Sequence, residues 1–159
     1  LLGEMTADDV APITLRDGPE VELFRFTDQG AVVAFLADAL RDLVRDEPHA
    51  SIAVLTPGAS VSRMMYSGLC RSEVKNLRHI TNSDFLFEPG IDVTEVEQVK
   101  GLEFDYVVVV EANAGYYPDT DLARRLLHVA CTRALHQLWI TSVGTPSPII
   151  REAIEAQRE

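Results

Sequence analysis

The sequence predicts an α/β fold: a predominantly parallel sheet with helices packed on both faces. Short apolar runs without helical period, such as Ser51–Thr56 and Tyr106–Val110, suit strands buried on both sides. Between them lie stretches whose apolar residues recur every three or four positions, the mark of amphipathic helices. Strands that alternate with helices require crossover connections, and these make the strands parallel and cover both faces of the sheet.

Each element follows from its residues. Residues 1–19 are polar with scattered Pro and Gly, and read as an irregular lead-in or linker remnant. Val21–Phe26 alternates apolar and polar residues, as expected of a half-buried or edge strand. From Ala31 to Glu47, Val32, Phe35, Leu36, Ala39, Leu40 and Leu43 form one helical face, and Pro48 ends the helix. Ser51–Thr56 follows as a buried strand, Pro57-Gly58 turns the chain, and Val61–Leu69 forms a helix. Leu77–Thr81 is read as a short strand and Asp92–Val99 as a longer one, with Val93, Thr94, Val96 and Val99 between acidic residues. Tyr106–Val110 is the most hydrophobic run and is expected at the centre of the sheet. A helix over Leu122–Leu135, a strand over Leu138–Val143 and a last helix from about Ile149 complete one domain over residues 20–159.

Bulk composition narrows the function classes. The 159 residues are 47% hydrophobic and 25% charged, a globular balance with enough apolar mass for a core. No apolar run approaches the roughly 20 residues that cross a bilayer, so no membrane role is expected. The opening LLGEMTADDV lacks the basic and apolar segments of a secretory signal, and its missing initiator Met suggests a piece of a longer protein. Cys70 and Cys131 belong to no CxxC or Cys/His cluster, so no metal site is expected and a reducing cytoplasm is the natural compartment. The formal charge of −11 argues against autonomous binding of nucleic acid, whose phosphates need neutralising.

Two segments carry candidate chemistry. In Val99–Asp105, a turn between strands holds Lys100, Gly101 and Glu103. Lys100 can meet a phosphate, Glu103 can accept hydrogen bonds from a sugar hydroxyl, and Gly101 permits a tight bend or a close approach. In an open parallel sheet ligands gather at the carboxyl ends of strands, where this turn is expected. The same residues also suit a solvated turn with a Lys–Glu pair. In the second segment, Leu126, Val129, Ala130 and Ala134 give the expected helix an apolar face, with Arg133 at its edge. A guanidinium there needs a partner, since burying an unpaired charge costs several kcal/mol. Either a phosphate from another domain or an acidic neighbour within this one would serve.

Together, VKGLEFDYVVVVE and LLHVACTRALHQLWI resemble motifs V and VI of UvrD/Rep-type superfamily 1 helicases. SIAVLTPGASVSRMM is similar to a less specific segment of the same family, its motif IVa. The resemblance implies the second RecA-like domain (2A-type) of a P-loop NTPase-type motor, facing an ATP site shared with an N-terminal RecA-like domain of the same protein. By this likeness Arg133 is the arginine finger on the γ-phosphate and Glu103 the ribose contact. Gly101 keeps the turn tight, while Lys100 and Thr132 have positioning roles. ATP and Mg2+ would be held mainly by the other domain, because no G-x-x-x-x-G-K-[ST] occurs here. The family's Tyr-Arg motif IV is likewise not seen, and no room exists for a 2B insertion.

Two departures bear on partners. Where the family often has Thr-x-His, a contact to single-stranded DNA, this chain has Glu95 and Glu97. These carboxylates would either repel a phosphate backbone or simply line a solvated strand edge. His128 replaces the Tyr of the family's second motif, and is expected to be a helix residue packed beside the sheet. The wording of both motifs also resembles helicase IV-like proteins, including the HelD group that remodels RNA polymerase. The expected function is therefore an ATP-dependent DNA helicase domain. The alternatives are an RNA polymerase-remodelling ATPase or a non-catalytic interaction domain.

Overall fold

The structure, a computed structural model, describes residues 20–157; the expected lead-in over 1–19 lies outside the described residues. Among the described residues six strands form one sheet: β1 (Glu20–Phe26), β2 (Ser51–Thr56), β3 (Leu77–His79), β4 (Gly90–Glu95), β5 (Phe104–Val109) and β6 (Ala134–Val143). Their order is β1-β6-β5-β2-β4-β3, and every pairing is parallel. The α/β class is as expected, with β1 at an edge and β5 and β2 at the centre.

Among the described residues, four α-helices and one 3₁₀ helix cover the sheet. On one face lie α1 (Gln29–Asp46) and α2 (Ala59–Arg71), whose Val32, Leu36, Leu40, Met65 and Leu69 pack on Ile52, Val54, Val108 and Val110. On the other lie the 3₁₀ helix (Val96–Val99), α3 (Asp121–Cys131) and α4 (Pro148–Gln157). Here Val96, Val99, Leu127 and Ile149 pack on Ala53, Leu55, Val107, Val109, Leu138 and Ile140. Successive residues of β2 and β5 thus feed two cores, which is why these strands carry no polar face. Asp28 caps α1 by accepting from the Ala31 amide at 2.8 Å, and Thr120 caps α3 by accepting from Ala123 at 3.1 Å.

Several boundaries differ from the expected ones. The strand expected over Asp92–Val99 ends at Glu95, and Val96–Val99 turns as a 3₁₀ helix. The reason is topological: β2 lies between β4 and β5, so the chain must leave the sheet and cross β2 to reach β5. Val96 and Val99, three apart, both face the core because a 3₁₀ turn repeats every three residues. The helix expected over Leu122–Leu135 ends at Cys131, and Ala134 and Leu135 already belong to β6. Thr132 closes the helix by donating from Oγ1 to the His128 carbonyl at 2.7 Å. The strand expected over Leu77–Thr81 ends at His79.

Candidate functional site

The turn Lys100–Glu103 leads into β5 from the 3₁₀ helix. Gly101 has φ +83°, the left-handed region, while a Cβ added to it would meet nothing within 4 Å. Glycine is therefore required there by backbone conformation rather than by space. The Leu102 amide donates to the Val99 carbonyl at 3.0 Å, which closes the turn. The Phe104 amide then donates to the Arg133 carbonyl at 2.9 Å, so the turn and the approach to β6 lie side by side. Both sit at the amino ends of the strands, beside Phe104 and Ala134, and not at the carboxyl ends where the turn was expected.

Arg133 follows α3 rather than lying on it, so its placement at the edge of a helical face is corrected: it stands in the link to β6. The side chain is half-buried. Its Nη2 donates to Thr132 Oγ1 at 3.1 Å and its Nη1 reaches the Leu102 carbonyl at 3.5 Å, the outer limit of a hydrogen bond. Its Nε is buried without a partner. Among the described residues no carboxylate lies within ion-pair distance of Arg133, so the acidic-neighbour alternative is not found there. Lys100 and Glu103 are exposed, and likewise form no ion pair with each other.

The neighbourhood of Arg133 is poor in negative charge. His128 is half-buried in the last turn of α3, and burial first, then the nearby Arg133 charge, holds its pKa below the usual value. Burial thus disfavours the imidazolium form, and the Nδ1 has no partner. Thr132 links the two residues, because its hydroxyl donates to the His128 carbonyl while accepting from Arg133.

On the other side of the turn opens a cleft of about 540 Å³. Gly101, Leu102, Glu103 and Asp105 form one wall, and Phe85 and Phe87 face it from the loop before β4. Phe85 also packs on Phe104, with ring centroids 6.2 Å apart. Asp105 is occupied: its Oδ2 accepts from the Ser51 amide at 3.0 Å, and its own amide donates to Ser51 Oγ at 3.0 Å. That reciprocal pair pins the start of β5 to the start of β2. Neither this pair nor the two phenylalanines emerged from sequence reasoning. The signal for the latter was an apolar trio, Phe85-Leu86-Phe87, inside an otherwise polar loop.

Glu95 and Glu97 do not share a strand edge. Glu95 ends β4, half-buried, and accepts from Gln98 Nε2 at 3.2 Å, whereas Glu97 is exposed on the 3₁₀ helix. At the opposite, carboxyl end of β5, Glu111 is only 3% exposed and has φ +59°.

Comparison with known proteins places these features. Residues 90–141 match the family model of the UvrD-like helicase C-terminal domain. No curated protein matches the sequence. Among solved structures, the C-terminal domain of a possible DNA helicase from Lactobacillus plantarum WCFS1 superposes with a TM-score of 0.70 at 28% identity. That match covers 91% of this chain and 88% of the other. The UvsW helicase of bacteriophage T4 (TM-score 0.56, 8% identity) and a DEAD box protein from Methanococcus jannaschii (0.54, 15%) share the fold. The chain covers 51% and 43% of their respective lengths, with 86% and 90% of its own residues aligned. The fold is therefore similar to the RecA-like sheet of helicase domains, and residues 90–141, which match the UvrD-like helicase C-terminal model, hold the turn and Arg133.

Proposed function

We propose that this chain is the second RecA-like domain of a superfamily 1 DNA helicase, contributing one side of an ATP site that a Walker-containing N-terminal RecA-like domain completes. The observation that carries the reading is Arg133: half-buried, with Nε unpartnered and no carboxylate paired to it among the described residues, beside the Glu103 turn. A guanidinium so placed is available to a phosphate brought by another domain. In that role it would stabilise charge developing on the transferred γ-phosphoryl group, and Glu103 would accept hydrogen bonds from the ribose. Gly101 gives the turn its bend, and Lys100 and Thr132 position it. On this reading Mg2+ is held mainly by the other domain, with the nucleotide phosphates. Free thiols at Cys70 and Cys131 suit a reducing cytoplasm, and no described helix is long and apolar enough to cross a membrane.

The test is ATP turnover by the two-domain protein. Arg133→Ala is expected to lower kcat by about 10²-fold or more, and the 159-residue chain alone is expected to be inactive. Turnover close to wild type in that variant would refute the assignment.

A second reading is favoured by charge: Glu95 and Glu97 stand where DNA contacts are expected, in a chain of charge −11. On that reading the motor remodels RNA polymerase. Turnover would then respond to polymerase and ignore single-stranded DNA, whereas a DNA motor is stimulated by the strand.

A further inference from the structure

Arg133 and His128 each carry one buried nitrogen without a hydrogen-bond partner among the described residues: Nε of the guanidinium and Nδ1 of the imidazole. The two are complementary. Nε–H can only donate, and Nδ1 of a neutral ring protonated on Nε2 can only accept. Buried groups of this kind are rarely left unpaired. Thr132 already ties the residues together, since its Oγ1 accepts from Arg133 Nη2 at 3.1 Å and donates to the His128 carbonyl at 2.7 Å. They also lie within electrostatic reach, because after burial the Arg133 charge is the second cause that lowers the His128 pKa.

The nitrogens of Arg133 divide by task. Nη1 and Nη2 turn toward the Leu102 carbonyl and Thr132, and their remaining N–H groups are left for a phosphate. Nε is buried, so its partner has to come from within the fold. With Nη1 at the outer limit of bonding, 3.5 Å, only Thr132 holds the guanidinium firmly, and a contact at Nε would fix its plane. Bidentate contact with phosphate depends on that plane. The other charged groups around His128 are occupied or exposed. On its own helix, Arg124 is paired with Asp119 and Glu152, and Arg125 is exposed. On the 3₁₀ helix packed against α3 and the turn after it, Glu97 and Lys100 are exposed, while Asp105 of β5 is bound to Ser51. The buried Tyr117 hydroxyl, near the Cys131 thiol, also has no partner and is the rival donor for Nδ1.

We infer that His128 is a positioning residue for Arg133: its Nδ1 accepts from the guanidinium Nε–H and fixes the plane in which the terminal nitrogens meet a phosphate. The inference rests on the proposed ATP half-site and adds a part to it. The tyrosine that the related motif has at this position carries its only acceptor at the far end of the ring, so the device belongs to His128. Protonation of the ring removes the acceptor and sets a second positive charge beside the first, so acid releases the arginine.

Two measurements test this. The first needs no ATP: nitrogen NMR of the isotope-labelled 159-residue chain at neutral pH should show the His128 ring with its proton on Nε2 and Nδ1 bare. Arg133→Met should shift the Nδ1 resonance and raise the ring's pKa, because donor and charge are both gone, whereas Tyr117→Phe should leave Nδ1 unmoved. A proton on Nδ1, or an Nδ1 that answers to Tyr117→Phe and not to Arg133→Met, overturns the pairing. The second is ATP turnover by the two-domain protein. His128→Phe keeps a ring in the packed position without the acceptor, and should lower kcat by about tenfold with KM for ATP little changed. His128→Asn, whose Oδ1 stands where Nδ1 stood, should recover most of that loss. Wild-type kcat should fall on acidification below about pH 6.5, the usual histidine value, and His128→Asn should lack that fall. The same acid fall in both proteins overturns the positioning role. If Arg133→Ala is slow while His128→Phe turns over like wild type, the positioning role is wrong and the half-site stands. If Arg133→Ala itself turns over like wild type, the half-site falls and the positioning role with it.

Discussion

Glu111 shows how much one residue's environment can set against its fold. It follows the end of β5 and is only 3% exposed, and its Oε1 has no partner. Burial pushes its pKa up, although hydrogen bonds from Gln29 and Asn113, the latter at 3.1 Å, pull the other way. A carboxyl whose folded pKa lies above its unfolded value binds its proton more readily in the folded protein. Stability from this group is therefore greatest below the ordinary carboxylate range, and falls as pH rises from that range through the raised folded value. Glu111→Gln keeps an acceptor and removes the buried charge. The variant is expected to melt above wild type at pH 7, with the gap closing toward pH 4, as measured by calorimetry across that range. A gap that widens on acidification would mean that the carboxylate is stabilised in the fold rather than burdened by it. Arg133 poses the complementary case, a cation left without a local anion, and the two differ in legibility. Arg133 could be singled out in the sequence because it stands in a recognisable VACTRA context. Glu111 could not, because its burial arises only in the fold, and one of its hydrogen-bond partners, Gln29, is far away in the chain.

At the scale of elements, the residue pattern located each α-helix and strand among the described residues but missed the 3₁₀ helix and misjudged where three elements stop. Val93, Thr94, Val96 and Val99 between acidic residues read as one β-prone run, yet register with β2 runs out at Glu95, whose partner is Thr56 at the end of its own strand. Likewise Ala130-Cys131-Thr132-Arg133-Ala134 has a good helical pattern, but Ala134 pairs with Phe104 and so starts a strand. Sheet pairing outweighed local propensity in both places, and neither partner strand is visible from the segment itself. The cleft was illegible for a related reason: Phe85 and Phe87 sit in a loop without period, and their meeting with Glu103 depends on how β3 anchors that loop. Arg78 on β3 does this, donating from Nε to Asp92 Oδ1 at 2.7 Å and from its two terminal nitrogens to the Pro89 and Glu88 carbonyls at 3.1 and 2.8 Å. The ion pair is mostly buried, with side chains 18% and 8% exposed. Arg78→Met leaves Asp92 buried without its cation, and should cost about 3–5 kcal/mol in urea unfolding. Adding Asp92→Asn should restore part of the loss. A double variant no more stable than the single one would show that the arginine acts through the loop carbonyls and not through the charge.

The whole molecule is one sheet with a core on each face, and this decides how it should come apart. Val54 and Val108 feed the core under α1 and α2, while the neighbouring Leu55 and Val107 feed the core under α3 and the 3₁₀ helix. Because these residues alternate along the same two central strands, neither core can lose its sheet without exposing the other. Two separately melting halves are thus excluded by the strand order, in which β5 and β2 are shared by both. Leu36 in α1 and Leu127 in α3 are fully buried, one in each core, and sit on opposite faces. Leu36→Ala and Leu127→Ala should each lower stability by about 2–5 kcal/mol through lost contacts and a residual cavity. Trp139 packs only against the α1–α2 core, so its fluorescence reports that face, whereas circular dichroism reports both. In either variant the two signals should follow a single denaturation curve, as a two-state domain requires. If Leu127→Ala shifts the circular dichroism midpoint while the Trp139 midpoint stays at its wild-type value, the two faces unfold independently. The sheet would then fail to couple Arg133 and Glu103, which stand just ahead of β6 and β5, to the helices on its far side.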